Sequence, residues 1–300
     1  MLLQQLINGI TLGAVYALIA LGYTMVYGIL ELINFAHGEI YMLGAYVAIV
    51  TLSFLTFTGL TATSLLLSML IAGIVSMIYC GAYGLTLEKV AYRPLRHAPR
   101  LSPLISAIGM SIFLQNYVML TQGSADKIFP HIFPADSITM GNATLTYLQG
   151  FIIVTSVILM LALQAFTKKT RLGKAMRATA QDKKMASLVG IDINTVIVVT
   201  FITGSVLAAA AGIMVAMYYG LINFYMGYVA GIKAFTAAGL GGIGNIQGAV
   251  MGGFLLGILE SLGAAYISSE YKDAFAFIVL ILILILKPTG LLGEGVPEKV

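Results

Sequence analysis

The sequence predicts an all-α polytopic membrane protein of eight or nine transmembrane helices, and three observations lead there. Of its 300 residues, 59% are hydrophobic and only 9% are charged, against about 25% charged in a soluble domain. The mean hydropathy is +0.97, and a soluble fold of this size leaves too much surface exposed to hide so much apolar area from water. Runs of roughly 20 apolar residues, the length that crosses a hydrocarbon core, recur along the whole chain.

The expected spans, in order, are 5–28, 40–57, 65–85, 104–120, 148–166 and 196–217. The last third is less regular. The run 249–265 is glycine-rich and 274–286 is very apolar. The short run 229–240 holds Lys233 and reads as either a ninth span or a re-entrant piece. The first residues, MLLQQLINGI, lack the basic region and cleavage site of a signal peptide, so the first span reads as permanent. Cys80 is the single cysteine, which excludes an internal disulfide and reads as a small buried residue. The net charge of +4 points to no nucleic-acid role, because the basic residues sit between apolar runs.

Orientation follows from the basic residues, which stay on the cytoplasmic side. The segment 86–103 carries Lys89, Arg93, Arg96 and Arg100. The segment 167–193 carries Lys168, Lys169, Arg171, Lys174, Arg177, Lys183 and Lys184, so the two segments hold eleven of the 16 basic residues. The segment 121–147 has only Lys127, against Asp126 and Asp136. The first two therefore face inward and the third outward. Counting backwards puts 30–39 inside and the N-terminus outside, and a ninth span would return the C-terminus to the inside. The string Leu32-Ile33-Asn34-Phe35 recurs as Leu221-Ile222-Asn223-Phe224, each time shortly after a Tyr-Gly pair. The two copies fall on opposite sides of the membrane, as an inverted repeat would place them.

The segment 167–193 is the most informative. Thr179 and Asp182 have capping-box spacing, and Gly190 fits the residue after a helix end. Between them Met185, Leu188 and Val189 share one face while Gln181, Lys183 and Lys184 are polar, which describes a short amphipathic helix. Asp192 or Asn194 then caps the next span. Two readings stand: a helix resting on lipid headgroups, or a docking helix for a cytoplasmic partner.

The string Gly239 to Gly244 matches G-x-G-x-x-G, but no strand precedes it and apolar spans flank it, so it is no dinucleotide site. Gly244, Gly248 and Gly252 recur every four residues, as do Gly253 and Gly257, and small residues at this spacing let helices approach closely in lipid. His37-Gly-Glu39 resembles a fragment of a zinc site, but one cysteine cannot complete it, and no metal is expected. Asn34, His37 and Glu39 instead interrupt the apolar pattern between two spans, and they read either as a solvated turn or as part of a solute pathway. Glu260 lies within a span and is the stronger candidate for a buried charge. Lys233 is its natural partner, or else snorkels to the outer interface. Glu31, Glu270, Lys272 and Asp273 read as interfacial. No P-loop, acid–base pair or activated nucleophile occurs, so the chain reads as a conduit and not an enzyme.

From end to end the chain resembles the permease of bacterial branched-chain amino acid ABC importers, LivH-type. The resemblance is carried by NGITLGAVYALIALGYTMVYGI (8–29), INFAHGE (33–39), VAYRPLR (90–96), SAIGMSIFLQNYV (106–118), RATAQDKKMASLVGI (177–191), KAFTAAGLGGIGNIQGAVMGG (233–253), SSEYKDAFAF (268–277) and PTGLLG (288–293). It implies one permease domain over 1–300 in the bacterial inner membrane, with a fold similar to the vitamin B12 importer class (type II) and two inversely related halves. It implies as partners a second homologous permease chain, two cytoplasmic ATP-binding subunits and a periplasmic binding protein for leucine, isoleucine or valine, with no cofactor. It also implies that the helix around 179–190 docks into the ATPase, which would engage Thr179, Asp182, Lys183, Lys184, Met185, Leu188 and Gly190. Asn223, with Asn34, His37, Glu39, Lys233 and Glu260, completes the expected pathway candidates. Rival readings are a related permease for urea or short-chain amides, or a proton-coupled transporter using His37, Glu39 and Glu260.

Overall fold

The computed structural model describes residues 1–293 except 97, 100, 131, 132, 134, 135 and 142. Arg100, one of the basic residues counted above, lies outside the described residues. Helix α1 (Leu2–Leu30) contains no charged residue and ends at Glu31 in the left-handed region, φ 59°. Then come α2 (His37–Phe57), the single turn α3 (Leu60–Thr63) and α4 (Leu65–Leu87). The Ser64 hydroxyl caps α4 by accepting from Leu67 N–H. A π-helical turn, Glu88–Tyr92, and a 3₁₀ turn, Arg93–Leu95, carry α4 onward to α5 (Leu101–Gln122).

A segment of short strands follows, β1 (Lys127–Ile128), β2 (Ser137–Met140) and β3 (Ala143–Thr146). β2 and β3 form a hairpin, while β1 pairs antiparallel with β4 (Leu221–Ile222). Among the described residues these two small strand pairs are the one departure from helical secondary structure. Helix α6 (Tyr147–Lys169) opens with a capping box between Thr146 and Gln149. Next are α7 (Arg171–Gln181), α8 (Lys183–Leu188) and α9 (Ile193–Tyr219), the last capped by Asp192. Helices α10 (Met226–Gly241), α11 (Ile246–Tyr266) and α12 (Lys272–Leu286) complete the bundle.

Among the described residues seven helices are long and apolar enough to cross a membrane: α1, α2, α4 with its following turns, α5, α6, α9 and α11. These seven candidates compare with the eight full spans expected. The run 274–286 falls in α12, which has 15 residues, and 229–240 falls in α10, which has 16. At 1.5 Å per residue these reach about 22 and 24 Å, short of a hydrocarbon core of roughly 30 Å.

Contacts fix which loops share an end of the bundle. The Gln4 side chain bonds the backbone of Thr144, and Phe129 N–H donates to Gly220 C=O at 2.9 Å. The N-terminus, the 121–146 segment and the second Leu-Ile-Asn-Phe turn therefore lie together. At the opposite end Tyr92 OH donates to Asn34 Oδ1 (2.8 Å), and Arg96 donates to Asn194 Oδ1 (2.6 Å). The C-terminal turn joins this end through Asn245, whose amide donates to Leu292 C=O, and through the approach of Gly28 to Gly244. The basic segments thus share one end, as the charge distribution requires.

The two turns are built alike, offset by 189 residues (Leu32 to Leu221). Glu31 and Gly220 both end a long helix in the left-handed region, φ 59° and 68°. Asn34 C=O accepts from His37 N–H (3.0 Å), and Asn223 C=O accepts from Met226 N–H (3.3 Å). Gly38 and Gly227 follow in register, and their backbones touch. Packing partners exchange in the same way: α1 lies on α11, and α9 lies on α4.

The core is the α1–α11 crossing. The apolar window of α1 is 94% buried and that of α5 only 22%. A Cβ at Gly253 would fall on Ala17, and one at Gly257 on the backbone of Gly9 and Gly13. Gly248 and Gly252 make the same kind of approach to Gly241 and Ala237 of α10. Gly244 departs from the expected helix-packing stripe. It sits before α11 in a turn at φ 99°, where glycine serves the backbone and not a helix face.

Candidate functional site

The first re-entrant turn places polar groups deep in the bundle. Residues 31–36 bring the chain back from the end of α1, so that the His37 ring lies against Gly22 and Gly204. Gly22 is eight residues before Leu30, a retreat of about 12 Å at helical rise. Asn34, His37 and Glu39 are all buried, so they are not a solvated turn. Tyr23 meets the His37 ring edge-on, with centroids 4.9 Å apart. Glu39 Oε1 accepts from Ser111 Oγ of α5 at 3.0 Å. Glu39 Oε2 and His37 Nε2 have no hydrogen-bond partner among the described residues.

Beside this turn a cleft of ≈ 330 Å³ opens between α5 and α10. Its walls are apolar and aromatic, from Phe35, Ile108, Ile112, Tyr228 and Ile232, with Ser111 and Gln115 as its polar floor. The Gln115 Nε2 amide is buried and unpartnered too.

A second polar centre lies nearer the other end. Lys233 Nζ of α10 is 2.9 Å from Glu260 Oε1 of α11 and 2.6 Å from Asp273 Oδ1. Lys272 reaches Glu260 at 3.2 Å, and Tyr16 OH donates to Glu260 Oε2 at 2.9 Å. Lys233 is thus a buried partner of Glu260 and does not snorkel outward. The four charges cancel, which makes burial tolerable where a lone charge would cost several kcal/mol. Lys233 also borders a cavity of ≈ 430 Å³ with Tyr16, Asp126 and Asn223. The side chain of Asn223 accepts from Tyr225 N–H at 3.0 Å and so pins the second turn.

The segment 167–193 holds two helices where one was expected. Thr179 is no cap. It is buried in α7, and its hydroxyl donates to Ala175 C=O. Asp182 is the cap, accepting from Lys184 and Met185 N–H at the start of α8. The capping-box spacing misled because the residue three positions before Asp182 still belongs to the preceding helix. Gly190 follows α8 at φ 85°, and Ile191 N–H closes back on Ala186 C=O at 3.0 Å. Lys184, Met185, Leu188 and Val189 are exposed, and Lys183 is half-buried. Asp192 accepts from Thr195 Oγ1 and Asn194 N–H, which hold its carboxyl below the usual range.

Two features escaped sequence reasoning. Buried Glu88 pairs with both Arg93 and Arg96, clasping the turn after α4, and Arg96 then reaches α9 through Asn194. The spacing of Glu88 to those arginines was the available signal. Tyr16 and Ser111 gave none, since a hydroxyl in an apolar helix looks ordinary. Among the described residues no group of three metal-ligating side chains occurs.

A family model described as branched-chain amino acid transport system / permease component matches residues 5–284. The chain is 51% identical to the high-affinity branched-chain amino acid transport system permease protein LivH of Salmonella typhimurium, covering 99% of this chain and 97% of that one. It is likewise 51% identical to the corresponding protein BraD of Pseudomonas aeruginosa, over 99% and 98%. A probable branched-chain amino acid transport permease protein LivH of Methanocaldococcus jannaschii is 27% identical, over 92% and 88%. No solved structure matches the chain.

Proposed function

Because this chain belongs to the family of branched-chain amino acid transport system permease components, we propose that it is the membrane-spanning permease subunit of an ATP-driven importer of leucine, isoleucine and valine. The observation that carries this reading is half identity to such permeases over nearly the whole length of both chains.

In this reading the chain forms one permease domain in the bacterial inner membrane and pairs with a homologous permease. Two cytoplasmic ATP-binding subunits power it, and a periplasmic receptor supplies the amino acid. The alike, oppositely placed turns support two inversely related halves of the type II importer kind. Helix α8 supplies the docking surface, with Asp182 and Gly190 fixing its two ends and Met185 and Leu188 facing the ATPase. Exposed apolar residues between lysines on the basic end of the bundle support that role. Arg96 ties the end of α4 to the start of α9, so a displaced α8 pulls on both helices. The buried polar groups at Asn34, His37 and Glu39, and at Lys233, Glu260 and Asn223, border the translocation path.

Mechanistically, ATP binding closes the ATPases and rocks the permease pair between outward and inward access. The receptor holds the substrate tightly, so the permease needs only a weak site. Replacing Met185 and Leu188 by aspartate tests the assignment in proteoliposomes holding the whole complex. Leucine uptake is expected to fall at least about tenfold while the complex still inserts, because a buried unpaired charge at an interface costs 2 kcal/mol or more. Unchanged substrate-driven ATPase activity overturns the docking role, and wild-type complex without ATP-driven leucine uptake overturns the function.

A further inference from the structure

Pro94 has no N–H, so the helix begun as α4 cannot keep its regular bonding as it reaches that residue. The chain changes bonding mode twice between Glu88 and Leu95. Glu88–Tyr92 is a π-helical turn, with Arg93 N–H donating to Glu88 C=O, and Arg93–Leu95 is a 3₁₀ turn. Such interruptions of a long helix often mark functional hinges. On its α5 side the joint is held by Ser106 Oγ, which donates to Ala91 C=O at 3.0 Å.

Two further ties run from the joint, in different directions. Buried Glu88 pairs with Arg96, whose guanidinium donates to Asn194 Oδ1 in the first turn of α9 at 2.6 Å. Tyr92 is 1% exposed and donates to Asn34 Oδ1 at 2.8 Å, with its ring against Phe201 of α9, centroids 5.1 Å apart. Asn34 C=O in turn accepts from His37 N–H. One line of bonds therefore runs from the residues just after α8 to the buried turn that carries His37 and Glu39. The Tyr92–Asn34 bond lies out of water, where a hydrogen bond is stronger and its loss leaves a polar atom stranded. We propose that Tyr92 is a positioning residue for transport, which carries displacement of α8 and the start of α9 to the first re-entrant turn. The inference rests on the proposed docking of α8 and on that turn bordering the path, and it adds the part that joins them.

A rival route exists. Helix α9 also packs directly along α2, so a rigid shift of α9 would reach His37 and Glu39 without Tyr92. Contiguity does not choose between the two routes, but coupling does. Ties in series fail together, so breaking either one does as much harm as breaking both. Independent distant sites add instead.

The test measures leucine imported per ATP hydrolysed by the complete complex in proteoliposomes. This ratio does not depend on how much of the complex is folded, so a merely structural role leaves it unmoved. Tyr92→Phe keeps the ring against Phe201 and removes only the hydroxyl. Asn194→Ala removes the Arg96 tie at an exposed position, while Asp192 still caps α9. Each substitution is expected to lower the ratio about fivefold, the factor of one ordinary hydrogen bond, with receptor-stimulated ATP hydrolysis retained. The double variant should stay near the same fivefold loss. A loss near the product, about 25-fold, overturns the series linkage. A wild-type ratio in either single variant overturns the role of Tyr92 and leaves the import function standing. Absence of ATP-driven leucine uptake in the unsubstituted complex overturns the import function, and this role with it.

Discussion

Lys233 neutralises two carboxylates from two different helices, so removing it strands buried Glu260 with Lys272 alone and leaves Asp273 unpaired. Breaking a buried pair on one side costs roughly 3–5 kcal/mol, far more than an exposed ion pair is worth. Lys233→Met is therefore expected to lower the thermal midpoint of the purified chain in detergent markedly. The double variant Lys233→Met with Glu260→Met should recover part of the loss, because no charge then remains buried without a partner. A double variant no more stable than the single one would show that the pair itself is not the source. This pairing was legible in the sequence, since a lysine and a glutamate in apolar runs need each other. The hydroxyls of Tyr16 and Ser111 that complete both polar centres were not, because their role depends on helices far apart in the chain.

Helix α11 owes its position to residues with no side chain. Gly253 and Gly257 bring it against the backbone of α1, and Gly248 and Gly252 bring it against α10. Gly257→Ala puts a methyl on the backbone of Gly9 and Gly13, forcing the helices apart at a cost of about 3 kcal/mol. The expected readout is loss of monodisperse protein on size exclusion. Gly109→Ala on α5, where nothing lies within 4 Å, is the control and should stabilise by up to about 1 kcal/mol through helix propensity. Equal behaviour of the two variants would remove the packing argument. The glycine period was readable as close packing, but not where it stopped. Gly244 shares the period and belongs to a turn, because periodicity cannot see the left-handed backbone at φ 99°. The segment around α8 shows the same limit: the polar and apolar faces were plain, while the break at Asp182 depended on a helix ending that spacing did not reveal.

At the scale of the whole molecule, charge sorted the loops and hydrogen bonds fixed them. Thr144 lies with the N-terminus at one end, and Ser187 lies on α8 at the end where the basic segments gather. In intact cells a membrane-impermeant thiol reagent is expected to label Thr144→Cys from outside. It should reach Ser187→Cys only after permeabilisation, and the reverse pattern would invert the molecule. The ends of the spans were the least legible property. Apolar runs announce themselves, yet the runs in α10 and α12 form helices of only 16 and 15 residues, a length that hydropathy alone does not reveal.

The burial of α1 also bears on how the protein is made. Its main partner, α11, is encoded some 240 residues later, so at about 5–20 residues per second the first helix waits roughly 12–50 s for its docking surface. During that time Thr11, Tyr16, Tyr23 and Thr24, all enclosed in the finished bundle, face either lipid or the insertion machinery. The most central helix of the permease is therefore the one that spends longest unassembled, and biogenesis has to shelter it until the far end of the chain arrives.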